Sequence, residues 1–238
     1  MKLSRELKEF FSNPAFYIIA GIFLALSGYK FYSLIISYMN FMSIYPEHMF
    51  GGEISALLGI SVNNFILPRL FEFYSYLILV AVPVLSTGIG YERSMGLDKI
   101  ELMVSNVTEL KFIIRKILST TLLMLVILLP TLMYPMMLSL FSNVDYGIVA
   151  SSYIGIILLT FISSCIVTPF GVLKMPIAVS IFLNVVILTL AYIYMIDGLF
   201  SSFLYGSIKI SSILFVIISS VSIIWFSSKI YQSTRIFK

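Results

Sequence analysis

The sequence predicts an all-α integral membrane protein with six transmembrane helices. Hydrophobic residues make up 60% of the chain and charged residues 11%, whereas a soluble domain carries about 25% charged residues. The mean hydropathy is +1.05. The apolar residues form long continuous runs rather than alternating ten-residue pieces, which favours helices over an outer-membrane barrel. We therefore expect one transmembrane domain over residues 1–238.

Six apolar runs are long enough to cross the roughly 30 Å hydrocarbon core of a bilayer, which takes about 20 helical residues. Pro169 and Pro176 flank Gly171–Lys174 and are expected to break the helix on either side, so that the fourth and fifth spans form a tight hairpin. The predicted spans cover about 14–38, 69–91, 116–141, 148–170, 175–196 and 210–231.

The distribution of Lys and Arg predicts the orientation of these spans. An N-terminus in the cytoplasm places 12 of the 15 basic residues on the inner side, as the positive-inside rule requires. Both termini and the connection between the second and third spans then face the cytoplasm. We expect a multi-pass protein of a prokaryotic-type inner membrane. The basic residues flank spans rather than forming one patch, so membrane lipid is an expected partner and nucleic acid is not.

Residues 1–13 carry an amphipathic pattern of their own. Leu3, Leu7, Phe10 and Phe11 fall on one helical face, and most of the charged residues lie opposite. This pattern predicts a helix in the inner membrane interface before the first span. The basic start and the apolar run also resemble a signal peptide, but the apolar residues continue well past the possible cleavage site, which favours an uncut span.

The most informative segment is a charged island, Tyr91–Lys116, between the second and third spans. It holds nine of the chain's 26 charged residues. Leu97, Ile100 and Val104 recur at helical spacing and predict a short surface helix over about 94–104. Asn106 with Glu109 resembles a capping box, so a second helix is expected to start near Val107 and to continue into the third span.

Two interpretations of the charged island compete. It is either a basic loop that only fixes the topology, or a surface on which a soluble protein docks. Glu92, Asp98, Glu101 and Glu109 are not required by topology, and the predicted break near Ser105 gives the segment a defined shape. These features favour docking without excluding the simpler interpretation.

The sequence resembles the ABC type-2 transporter permease family, in the manner of its gliding-motility subgroup. The resemblance rests on the order of several short elements along about residues 5–170. They are Glu6–Tyr17, Leu26–Tyr29, Glu92–Gly96, Ile100–Ser105, Glu109-Leu110, Arg115-Lys116, Tyr134-Pro135 and Asn143–Gly147.

The resemblance implies a permease of six spans that works with a second permease copy or paralogue and with two copies of an ABC ATP-binding subunit. The segment 92–115 would be the coupling segment of this exporter subunit. The residues implied in contact with the ATP-binding subunit are Glu92, Arg93, Leu97, Asp98, Lys99 and Glu101.

This chain itself is not expected to be an enzyme. It contains no G-x-x-x-x-G-K-[ST] phosphate loop, so ATP and magnesium are expected on the partner subunit. His48 is the only histidine and Cys165 the only cysteine, so no metal site, no other cofactor and no internal disulfide is expected.

A few polar residues fall inside the predicted spans and are possible intramembrane sites. Lys30, Arg69 and Glu72 are placed near the outer ends of the first two spans, where Lys30 is expected to extend to the interface or pair with Glu72. Asn184 lies within the fifth span, and a hydrogen bond to another helix is its expected role. Pro83, Pro130 and Pro135 are expected to kink the second and third spans.

Two other functions stay open at this stage. One is a secondary transporter driven by an ion gradient, which needs ionisable groups near the bilayer centre and often shows an internal repeat. The other is a membrane scaffold that transmits force from an ATPase without moving cargo.

Overall fold

The computed structural model describes residues 14–44, 61–94, 108–172 and 176–236. These ranges are helical almost throughout and contain no strand. Six of the helices are long and apolar enough to cross a membrane. The prediction of an all-α, multi-pass membrane protein is confirmed at this level.

The first span is the helix Pro14–Ile44, and the second is Val62–Ser94. The third is Glu109–Leu128, which continues through a 3₁₀ turn, Leu129–Leu132, into the helix Met133–Ser139. The fourth is Tyr146–Val172. The fifth is Ile177–Ala191, followed by a π-helical turn, Tyr192–Ile196, and the short helix Asp197–Leu204. The sixth is Ile210–Ile236.

The second, third and fourth spans form the packed centre of the bundle. In each of them 61% of the most apolar stretch is buried, against 22% in the first and sixth spans and 17% in the fifth. The second span packs against the first, fourth and fifth, and the sixth packs against the third and fourth. The charged island therefore joins two helices of the centre.

The second span begins earlier than predicted, at Val62 rather than near residue 69. Pro68 was expected in the outer loop but is buried inside this helix. Ile66, Leu67 and Leu70 are at most 1% exposed, so packing on the bundle extends the helix past the polar Arg69. A hydropathy pattern places the boundary too late because it does not include this tertiary burial.

Two other helix ends differ from the predicted ones. The helix of the first span continues to Ile44. The helix Tyr146–Val172 contains Pro169 rather than ending there, whereas Pro176 does precede the next helix as its N-cap. The helix of the third span begins at Glu109, after Thr108, whose side chain makes no capping hydrogen bond, which agrees with the predicted start near Val107. Asn106 and the predicted capping box lie outside the described residues.

The three prolines predicted to kink the spans have different effects. At Pro130 the α-helix gives way to the 3₁₀ turn Leu129–Leu132. Pro83 lies within an uninterrupted helix, and Pro135 occupies the first turn of Met133–Ser139, a position in which a helix tolerates proline. The irregular part of the third span is therefore the turn around Pro130.

Candidate intramembrane site

Three polar residues of the second span, Arg69, Glu72 and Tyr76, form what we call the polar stripe. Their spacing of three and four residues places them on one face of the helix. Arg69 is exposed, Glu72 is half-buried and Tyr76 is 48% exposed. The stripe is thus a surface of the single chain and not part of its packed centre.

The two charged residues of the polar stripe, Arg69 and Glu72, each contact an uncharged side chain. The guanidinium of Arg69 lies 3.9 Å from the ring centroid of Phe65. The hydroxyl of Tyr76 donates a hydrogen bond of 3.0 Å to Oε1 of Glu72. Within the described part of the chain, neither charge has an oppositely charged partner within 4.0 Å.

The neighbouring spans border the polar stripe on both sides. On one side Nζ of Lys30, from the first span, lies 5.7 Å from the ring centroid of Phe73. On the other side Tyr76 and Tyr192 meet edge to face at 5.7 Å. Tyr192 begins the π-helical turn of the fifth span, and such turns often occur at functional sites.

Lys30 and Glu72 both lie in helices that are long and apolar enough to cross a membrane. Lys30 belongs to Pro14–Ile44 and Glu72 to Val62–Ser94. Their position near the outer ends of the spans stays a prediction. Their predicted pairing is not formed, because Lys30 contacts Phe73 and Glu72 contacts Tyr76.

Charged side chains within membrane-spanning helices have a substantial energetic cost. On insertion scales, Arg, Lys or Asp at the centre of a span costs about 2.5–3.5 kcal/mol. Tyr29, within the first span, also leaves 72% of its surface exposed. Polar groups in such positions face a partner or a water-filled path in membrane proteins more often than lipid. The polar stripe is the strongest candidate site in the described residues.

Asn184, the third predicted intramembrane site, is only 2% exposed. Its Nδ2 donates a hydrogen bond of 3.3 Å to Oγ of Ser180, one turn earlier in the same helix. Its Oδ1 is buried without a hydrogen bond. Asn184 therefore donates its hydrogen bond within its own helix, and the prediction of a hydrogen bond to another helix is wrong here. No contact joins Asn184 to the polar stripe among the described residues.

A second polar group, which the sequence reasoning missed, lies inside the bundle around the 3₁₀ turn. This hydroxyl cluster contains Ser27, Tyr74, Thr131, Tyr134 and Tyr153. Thr131 donates to the carbonyl oxygen of Leu128 at 2.7 Å, so the 3.0 Å hydrogen bond between Thr131 and Tyr153 must use the tyrosine proton. By the same logic Tyr134, 3.4 Å from Ser27, is the donor there, because Ser27 donates to Leu24.

Tyr74 differs from the other members of the hydroxyl cluster. It is fully buried and its hydroxyl lies near Thr131 and Tyr153, but it meets neither of them, nor any other group, in hydrogen-bond geometry. Its ring packs on Phe71 at 5.5 Å and Phe23 at 6.1 Å. The cluster joins the first four spans, and aromatic contacts help to hold the ring of Tyr74.

Only two of the residues predicted to contact an ATP-binding subunit belong to the part of the chain that the structure describes. Glu92 and Arg93 lie in the last turn of the second span's helix, Val62–Ser94. Leu97, Asp98, Lys99 and Glu101 lie outside the described residues, as does the predicted interfacial helix 1–13. Docking of a soluble partner on the charged island therefore stays a prediction.

A groove of about 490 Å³ opens beside the start of the third span. It lies between that helix and the end of the sixth span, where Phe112 packs on Tyr231 at 6.0 Å. Its lining residues are Thr108, Glu109, Leu110, Trp225, Ser228, Lys229 and Gln232. The groove is thus next to the point where the charged island enters the bundle.

Comparison with protein-family models, curated proteins and solved structures finds no match to this chain. Among the described residues there is also no group of three or more His, Cys, Asp or Glu side chains that could hold a metal ion. The functional assignment therefore depends on the chain's own sequence and geometry.

Proposed function

We propose that this chain is the transmembrane permease subunit of an ATP-driven ABC exporter. In this proposal a separate ATP-binding subunit docks on the charged island and binds ATP and magnesium. Two permeases and two ATP-binding subunits form the transporter in a prokaryotic-type inner membrane. The permease converts closure of the ATP-binding subunits into movement of its spans.

The observation that carries the proposal is the position of the charged island within the bundle. Its first residues continue the helix of the second span to Ser94, and its last residues begin the helix of the third span at Glu109. These two spans belong to the packed centre. A protein that moves the island therefore acts on two long helices at once, which is the mechanical requirement for a coupling segment.

The third span offers a place for the resulting movement. The 3₁₀ turn Leu129–Leu132 interrupts its α-helix about 20 residues from Glu109, and short 3₁₀ segments often mark hinges. The hydroxyl cluster surrounds this turn. In the proposed cycle the part of the span before Pro130 follows the coupling segment, while the part beyond it keeps its contacts.

A pull-down from native membranes in mild detergent tests the proposal. The unaltered chain is expected to capture a protein that hydrolyses ATP, and the double variant Glu92→Lys, Glu101→Lys is expected to lose it. Lys209→Glu, a charge change in the turn before the sixth span, is the matched control and is expected to keep the partner. If the unaltered chain captures no ATPase, the proposal is wrong.

A second candidate, the secondary transporter driven by an ion gradient, is favoured by one specific observation. Lys30 and Glu72 lie within spans, where ionisable groups often form ion pathways. The purified chain alone, in liposomes with a pH-sensitive dye, would then move protons under an imposed membrane potential, and Glu72→Gln would abolish the movement. The ABC proposal predicts no proton movement by the chain alone.

A further inference from the structure

The polar stripe is a charged surface that the described residues leave partly uncovered within the second span. Arg69 is exposed and Glu72 is half-buried, with Tyr76 one turn beyond. This span is long and apolar enough to cross a membrane, and hydrocarbon is a poor environment for these charges. A partner that is itself in the membrane would cover them.

The charges of the polar stripe have the arrangement that a second copy of the same chain would satisfy. Two copies inserted in the same direction place their stripes at the same depth, related by a two-fold axis across the membrane. Arg69 and Glu72 are three residues apart, which is about 4.5 Å along the helix axis. An arginine side chain easily covers that offset, so Arg69 of each copy can reach Glu72 of the other.

We propose that the polar stripe is the surface through which two copies of this chain pair, with reciprocal ion pairs between Arg69 and Glu72. This inference rests on the proposed function, which requires two permeases, and adds the surface that joins them. A two-fold interface is self-complementary, and the stripe brings one cation and one anion from each copy. The pairing supplies each charge with the partner that it does not have in the described chain.

The residues bordering the stripe suit such an interface. Phe65 and Phe73 hold Arg69 and Lys30 through their ring faces, and Tyr76 fixes the carboxylate of Glu72 at 3.0 Å. Both charges of the proposed pair are therefore positioned before association. Arginine and tyrosine are also enriched among the residues that contribute most to interfaces.

Charge reversal in separately tagged chains tests the pairing and distinguishes it from contacts within one chain. Arg69→Glu alone gives a stripe with two acidic residues, and Glu72→Arg alone gives one with two basic residues. Each variant is expected to co-purify with its own second copy at least about tenfold less than the unaltered chain. Co-expression of the two variants is expected to restore pairing, because the acidic stripe then meets the basic one.

A cysteine substitution gives a second measurement that does not change any charge. The native Cys165 is fully buried and will not compete in oxidative cross-linking. Tyr76→Cys is expected to form a disulfide between two copies in native membranes. Val221→Cys, at a 63% exposed position of the sixth span, is the matched control and is expected to remain monomeric.

The inference is overturned if the single charge variants pair as well as the unaltered chain, if mixing them restores nothing, or if Tyr76→Cys does not cross-link. These outcomes are separate from the test of the proposed function. A chain that pairs through another surface but still captures an ATP-binding subunit overturns this inference alone. A chain that pairs through the stripe but captures no ATPase overturns the proposed function alone.

Discussion

At the scale of single residues, the hydroxyl cluster contains two tyrosines with opposite energetic roles. The hydroxyl of Tyr153 donates a hydrogen bond of 3.0 Å to Thr131 at the 3₁₀ turn. The hydroxyl of Tyr74 is buried without a partner. A satisfied buried hydroxyl stabilises a fold, whereas an unsatisfied one opposes it.

We therefore expect opposite results from the same chemical change at these two positions. Tyr153→Phe should lower the free energy of unfolding by about 1 kcal/mol, because it removes a hydrogen bond between the third and fourth spans. Tyr74→Phe should leave stability unchanged or raise it, because it removes only the unpaired hydroxyl. Thermal unfolding of both variants in detergent measures the difference, which amounts to about 2–4 °C per kcal/mol for a chain of this size.

Tyr74→Phe serves as the control for Tyr153→Phe, since both retain the aromatic ring. Equal destabilisation by the two changes would mean that Tyr74 makes a hydrogen bond equivalent to that of Tyr153. The described position of the cluster would then be wrong.

At the scale of helices, the fourth span packs tightly against the short helix Asp197–Leu204 at Gly155. A Cβ atom at Gly155 would lie 2.8 Å from Cβ of Phe203, which is fully buried. Ser151 adds to this contact with a hydrogen bond of 2.9 Å to the carbonyl oxygen of Phe203. Only glycine permits this packing.

We expect Gly155→Ala to destabilise the protein by about 1–3 kcal/mol, because the added methyl group overpacks the contact with Phe203. Gly21→Ala is the matched control, since a Cβ there meets nothing within 4 Å. Alanine is the better helix former by about 0.5–1 kcal/mol, so this control should be neutral or stabilising. Thermal unfolding compares the two, and a Gly155→Ala variant as stable as the control would contradict the close packing.

The sequence predicted these helices better than their ends. Continuous apolar runs are sufficient to identify six spans, and each is present. The start of the second span was missed because Pro68 and Arg69 interrupt the apolar pattern, although buried neighbours such as Leu67 keep the helix intact. Pro169 was overestimated as a helix breaker for a related reason, since the helix continues beyond it to Val172.

The candidate site was only partly predictable. Lys30 and Glu72 were identified as unusual because charges are rare in spans, but the place of Glu72 along its helix depended on the missed start of the second span. Tyr76 was missed, although its spacing from Arg69 and Glu72 could have placed it on the same helical face. The hydroxyl cluster was not predictable, because tyrosine and threonine are common in spans and only the tertiary structure joins residues as distant as Ser27 and Tyr134.

At the scale of the whole molecule, the proposed function gives the two ends of the helix bundle different roles. The charged island is at the end of the bundle where the second span finishes and the third begins. The turn between the fifth and sixth spans, around Ser207, is at the opposite end, next to the start of the fourth span, where Gly206 approaches Ile148. An ATP-binding partner should contact only the first of these ends, and the polar stripe lies between them within the membrane.

Site-specific photo-crosslinking in intact native membranes tests this central claim most directly. A photoreactive amino acid at Asp98 is expected to capture an ATP-binding protein from the cytoplasmic side, while the same amino acid at Ser207 captures none. Capture of an ATP-binding protein from Asp98 alone would support both the orientation and the coupling segment. If Asp98 captures no such protein, or if Ser207 captures it equally well, the protein is not an ABC permease that couples through this segment.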